Sequence, residues 1–143
     1  YNDAGDSLSQ MWKDGMQAYR GTTIAGLPNA FMVLGPNLGI GHNSAFIVIE
    51  AQINYILSTL TTMREQQLSR VEVKADSQKT YNRKVQKDLQ GTVWNTGGCS
   101  SYYLDKNGFN SVGFPWSTLE MQRLLKDFDA ENYSLTPASQ PVF

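Results

Sequence analysis

The sequence predicts a mixed α/β fold with one long helix, two or three shorter helices and a few short strands. Three observations carry this: a 3–4 spaced run of apolar residues from Phe46 to Met63, short β-favouring runs at 31–34 and 71–74, and glycine and proline punctuation between them. At 143 residues the chain has the length of one ordinary domain, and 41% hydrophobic with 17% charged residues suits a chain that forms a core.

Residues 6–12 place Leu8, Met11 and Trp12 at helical spacing, and Asp14-Gly15 ends that helix. Residues 16–24 read as extended, since Tyr19, Thr22, Thr23 and Ile24 favour a strand, with Gly21 marking a bulge. Leu27-Pro28-Asn29 is a turn. Phe31-Met32-Val33-Leu34 is a continuous apolar run, the pattern of a strand buried on both faces. A loop with three glycines and one proline follows, from Gly35 to Ser44.

The long helix starts there, capped by Asn43 or Ser44. Phe46, Ile49, Ile53, Ile56, Leu60 and Met63 should face inward, with Glu50, Asn54, Ser58, Thr61 and Glu65 opposite. Its first turn is apolar all round, which predicts a helix start sunk in the interior. Glu50, Gln52 and Asn54 argue against a membrane span in this stretch. Val71 to Lys74 alternates like an edge strand, and Asp76 should cap a helix running to Gln90 with Tyr81, Val85 and Leu89 on its docking face. Gly91 stops it. Residues 102–104 and 109–114 read as a hairpin, Ser117 with Glu120 as the capping box of a last helix, and 134–143 as an extended tail. Met121, Leu124, Leu125 and Phe128 should point inward from that last helix.

A net charge of −1 with no basic block gives no reason to expect nucleic acid or an anionic membrane. The single cysteine, Cys99, excludes an internal disulfide and fits the cytoplasm. The only histidine, His42, reads as a loop hydrogen-bonding residue, and no His/Cys cluster suggests a metal. No carboxylate pair or nucleophile–base arrangement marks a catalytic residue. The feature that carries chemistry is the strand–loop–helix junction. A buried helix start has unpaired N–H groups and about +0.5 of a charge. An electron-rich ligand edge would satisfy these groups, with the loop glycines letting it approach; an ordinary Asn43 or Ser44 cap would serve as well. Trp94 and Tyr102 could stack on a flat ligand or simply anchor their loop.

Two separated runs resemble a known family. Gly21-Thr22-Thr23-Ile24-Ala25-Gly26-Leu27-Pro28-Asn29-Ala30-Phe31-Met32-Val33-Leu34-Gly35-Pro36-Asn37, continued by Gly39-Ile40-Gly41-His42-Asn43-Ser44, is similar to a late motif of class B flavoprotein monooxygenases. Gly91 to Asp105 is similar to a second one, in the same order. The subgroup resembles the 4-hydroxyacetophenone-monooxygenase-like, Baeyer–Villiger branch. The resemblance implies the C-terminal fragment of a flavoprotein with two dinucleotide-binding domains. It would divide into residues 1–66 closing the FAD domain, 67–133 flanking the cofactor cleft, and a tail at 134–143.

The resemblance further implies FAD and NADPH as cofactors, with oxygen from O2 passing through a flavin C4a-peroxide into a ketone or onto a heteroatom. Gly35, Pro36, Asn37, His42, Asn43, Ser44 and Ala45 would lie against FAD, and Trp94 and Tyr102 in a segment folding over nicotinamide or substrate. Tyr102 stands where many relatives carry tryptophan. The partners implied are the remaining FAD and NADPH domains of one polypeptide and a small organic substrate, with no nucleic acid or membrane. Both glycine fingerprints and the arginine that stabilises the peroxide are absent from these residues, so the chain alone is expected to be inactive. An exposed face on the long helix would favour homo-oligomers. The alternative is a non-catalytic module for ligand binding or assembly that kept the fold.

Overall fold

In the computed structural model, Ser44 opens the longest element: its hydroxyl accepts the backbone N–H of Phe46 at 3.3 Å. The structure describes residues 1–2, 4–39, 44–96, 103–105 and 108–140, without the side chains of Trp94 and Thr96. Helix α1 (Leu8–Met11) is closed by a reciprocal capping box between Ser7 and Gln10. Helix α2 (Ala45–Glu65) leads into strand β1 (Leu68–Val73), then α3 (Ala75–Leu89), α4 (Val93–Thr96) and α5 (Thr118–Leu124). A single 3-10 turn (Ala130–Asn132) precedes β2 (Tyr133–Pro137). The two strands form an antiparallel ribbon with Val71 opposite Leu135 and Val73 opposite Tyr133, irregular between Leu68 and Arg70.

The mixed helix-and-strand character, the edge strand and the Ser117 cap follow the sequence expectation; Ser117 Oγ accepts the N–H of Glu120. Residues 134–137 are extended and pair with β1, and the last three residues of the expected tail lie outside the described residues. Leu104 and Asn110 bridge as a hairpin would, while Tyr102 lies outside the described residues. Asp76 does not cap α3. Lys74 occupies that position without a side-chain capping bond, and Asp76 sits in the first turn, where the helix dipole favours it.

Three expectations are corrected. First, residues 16–24 do not form a strand. Tyr19 and Thr23 exchange backbone hydrogen bonds across a tight turn, with Arg20 at φ 49° and Gly21 at φ 59°. Second, residues 31–34 are not a buried strand. Val33 and Leu34 are 48% and 49% exposed, and Leu34 has φ 54°. No strand lies beside them among the described residues, so their backbone is held by Thr22 O and the Gln52 side chain instead. Third, α2 buries a different face from the one its apolar spacing predicts. Val48, Ala51, Gln52, Tyr55 and Thr59 are buried, whereas Phe46 is 76% exposed and Ile53, Leu57 and Leu60 are also exposed. The start of α2 is likewise open at Ser44, Ala45 and Phe46, not sunk.

Apolar residues surround most of α2, so spacing does not select a face; hydrogen-bonding capacity does. By length and composition α2 could cross a membrane, but its face bearing Gln52, Tyr55 and Thr59 is packed into the protein. The core gathers Tyr19, Leu38, Val48, Tyr55, Val71, Val73, Phe114, Met121, Leu125 and Tyr133, with Leu124 and Phe128 packed against it as expected.

Candidate functional site

Gln52 organises the glycine-rich run. Its buried Nε2 donates to Gly21 O at 3.0 Å, Thr22 Oγ1 at 3.0 Å and Met32 O at 3.1 Å, and its Oε1 accepts the N–H of Leu34 at 2.7 Å. One carboxamide thus fastens two loop segments to α2. Beyond it the chain turns at Asn37, with φ 57°, and lies alongside residues 110–114. Asn37 Nδ2 donates to Asn110 O at 2.8 Å and Gly113 O at 2.9 Å, while its backbone N–H reaches Ser111 O at 2.8 Å. Gly39 N–H donates to Val112 O at 2.8 Å.

The loop glycines answer to this packing. A Cβ on Gly35 would meet Gly21 O at 2.2 Å, and one on Gly39 would meet Val112 O at 2.6 Å. Close backbone-to-backbone packing therefore requires glycine at these two positions.

The result is an open groove of about 710 Å³. Gly35 and Pro36 line it together with Trp12, Met16, Val33, Leu34 and Val112, so its walls are largely apolar. Sequence reasoning found the first two residues and missed the others; the only local hint was the helical spacing that ends at Trp12. Asn37 lies buried behind the loop, its Oδ1 without a partner among the described residues.

Ser44 and Ala45 stand at the open end of α2. The Ser44 cap uses the N–H of Phe46, no acid occupies the first turn, and the N–H of Ala45 meets no acceptor among the described residues. Over 21 residues the backbone dipoles concentrate positive charge at this end. Trp94 falls in α4, its side chain undescribed, and His42, Asn43 and Tyr102 lie outside the described residues.

The scaffold beneath is a buried charged cluster that no local pattern announced, since its members are up to 110 positions apart. Arg20 pairs with Asp129 at 2.8 Å, Tyr55 OH donates to Asp129 Oδ1 at 2.5 Å, and Tyr19 OH donates to Asp129 Oδ2. Tyr133 OH bonds Tyr55 OH at 2.9 Å and Thr23 Oγ1 at 2.8 Å. Burial drives the phenols of Tyr19 and Tyr55 far above the ordinary tyrosine range, helped by Asp129 beside Tyr19 and by Tyr133 and Asp129 beside Tyr55, while burial pushes Tyr133 up to about 12. Burial pulls Arg20 down, but Asp129 and the tyrosines hold it above its usual value. These groups are committed to one another. They join the 19–23 turn, α2, the start of the 3-10 turn and β2.

No family model matches the chain. It is 44% identical over 133 residues to a Baeyer–Villiger monooxygenase of Pseudomonas aeruginosa, covering 92% of this chain and 25% of that protein. Among solved structures it superposes on an oxidized steroid monooxygenase bound to NADP with a TM-score of 0.81 at 15% identity, covering 96% of this chain and 26% of that one. A structure of OTEMO in complex with FAD and NADP gives 0.80 at 15% identity, covering 94% and 25%. The chain spans about a quarter of the length of the curated relatives it matches, and its fold is that of the C-terminal part of flavoprotein monooxygenases.

Proposed function

We infer that this chain, a homologue of the Baeyer–Villiger monooxygenases over the quarter of their length that it matches, supplies the C-terminal part of an FAD- and NADPH-dependent monooxygenase. The observation that carries this reading is the start of α2: an N–H at Ala45 that meets no acceptor among the described residues, at the positive end of a 21-residue helix, with an apolar groove walled by residues that precede it in the sequence. An aromatic ring system with an electron-rich polar edge fits that combination of apolar wall and open helix start.

When bound, FAD would take reducing equivalents from NADPH and activate O2, delivering one oxygen atom to a ketone carbonyl or a soft heteroatom. The chain's own residues hold and bias. Gly35 and Pro36 form a wall of the groove, and Asn37 pins that wall to residues 110–113. The N–H of Ala45 would donate toward negative charge on the ring edge, which favours the reduced, anionic form. His42, Asn43, Trp94 and Tyr102 are assigned to the cofactor cleft on motif resemblance. The exposed apolar side of α2, with Phe46, Ile53, Leu57 and Leu60, would pack against the remainder of the same polypeptide, which also holds the small organic substrate. A single cysteine suits the reducing cytoplasm, where we place the enzyme. The chain by itself is inactive on this reading, because the family's two glycine fingerprints for FAD and NADPH are not among its residues.

The test is the absorbance of the intact polypeptide that contains this chain. A flavin spectrum that bleaches with NADPH and recovers as O2 is consumed supports the reading. A colourless protein that takes up no added FAD overturns it.

A further inference from the structure

A second groove, of about 780 Å³, separates α3 from the turn at 14–17 and from Gly108-Phe109. It shares no lining residue with the apolar groove. Lys79, Arg83 and Lys87 line it, spaced i, i+4, i+8 on one face of α3. Like charges at this spacing destabilise a helix, so the arrangement costs stability and returns none to the fold. Nor are these cations spent elsewhere: among the described residues none of the three makes a side-chain hydrogen bond or ion pair. The neighbouring Lys84, by contrast, pairs with Asp88 at 3.1 Å and lies over the Trp116 ring.

The facing wall is of different chemistry. It presents the Asp14 carboxylate, the Gln17 side chain and the Phe109 ring. In the floor, Asn82 is 3% exposed and donates both amide hydrogens inward, to Ala18 O at 3.0 Å and Gln78 O at 2.8 Å, while its Oδ1 has no donor among the described residues. The Asn82 amide thus braces α3 against Ala18 beneath the groove.

We propose that this groove binds an organic diphosphate of nucleotide type. The three cations span about 12 Å along the helix, more than one phosphate group covers. Arg83, at the centre, can take phosphate oxygens in a bidentate fork, with Lys79 and Lys87 as flanking point charges. Asp14 and Gln17 can accept hydroxyl or amine hydrogens, and Phe109 offers a ring edge to a base. Asp14 is the one anion on the groove, so the lining keeps a net charge of +2, from three cations and one carboxylate. The proposal does not depend on the flavin reading.

The experiment is a titration of the 15N-labelled chain, carrying Ile53→Glu and Leu57→Lys on the exposed face of α2 to keep it monomeric, with ADP and with inorganic pyrophosphate, followed by amide shifts. Saturable shifts confined to 14–17, 79–90 and 108–109 are expected, with ADP binding the tighter of the two. Arg83→Gln should weaken ADP by about tenfold or more, Arg83→Lys by less, and Lys126→Gln not at all, with unchanged far-UV circular dichroism in each. Unsaturated shifts spread over the basic residues, equal binding by Arg83→Gln, or ADP binding no tighter than pyrophosphate would each overturn the assignment.

Discussion

The side-chain oxygen of Gln52 accepts the backbone N–H of Leu34 at 2.7 Å, joining the groove wall to the long helix through one fully buried carboxamide. The same side chain gives its hydrogens to Gly21 O, Thr22 Oγ1 and Met32 O. Gln52→Leu keeps the volume and removes every one of these bonds. Unpaired buried polar groups cost about 1–3 kcal/mol each before relaxation, so the melting temperature should fall by on the order of 10 °C. A thermal scan showing a change of under about 2 °C would mean that the loop is held by something else.

Two glycines should respond in opposite directions. Gly35→Ala drives a methyl group into Gly21 O, 2.2 Å away, and should destabilise by roughly 1–3 kcal/mol. Gly91→Ala meets nothing within 4 Å and should be neutral or stabilising by about 0.4–1 kcal/mol. Urea unfolding of both variants checks the pair, and equal midpoints would contradict the packing described.

Much of the frame was legible because its signals are local. Ser117 and Glu120 sit three residues apart, and Val71 to Val73 alternate along one strand, so neighbours in sequence were enough. The buried face of α2 was not legible. Phe46, Ile53 and Leu60 have the spacing of a core stripe, yet Gln52 and Tyr55 occupy the interior because their partners, Gly21, Asp129 and Tyr133, come from distant parts of the chain. The run at 31–34 has the composition of a central strand but no partner strand among the described residues, and composition cannot supply one. At the groove, Gly35 and Pro36 were marked by their motif, whereas Trp12, Met16 and Val112 enter only through tertiary packing.

The tyrosine cluster makes stability sensitive to alkali. Burial raises the phenol of Tyr133 to about 12, and those of Tyr19 and Tyr55 higher. Between the unfolded value near 10 and these folded values, the folded state holds more protons, so stability is complete below about pH 10 and is lost as pH rises. The expected slope is about 1.4 kcal/mol per pH unit for each such tyrosine. Tyr133→Phe should flatten the pH 10–12 region by one tyrosine's share; denaturant titrations at stepped pH would show it, and an unchanged slope would contradict the assignment.

The exposed stripe of Phe46, Ile53, Leu57 and Leu60 should make the isolated chain self-associate at micromolar concentration. Ile53→Glu with Leu57→Lys places charge on that stripe and should return a monomer. Light scattering that finds the unsubstituted chain monodisperse and monomeric would count against an unpartnered face.

The central claim is that the open end of α2 faces the flavin, and Ala45→Pro in the intact flavoprotein tests it most directly. Proline is well tolerated at the first helical position, and Ser44 already has the extended backbone, φ −72° and ψ 132°, that a following proline requires. The substitution therefore removes one N–H and leaves the helix. A lost hydrogen bond to a charged acceptor is worth about 1.5–3 kcal/mol, or roughly 30–60 mV for a two-electron couple. The flavin midpoint potential should fall by that amount with unchanged circular dichroism; a potential that does not move, in a variant that still folds and holds FAD, would contradict the account.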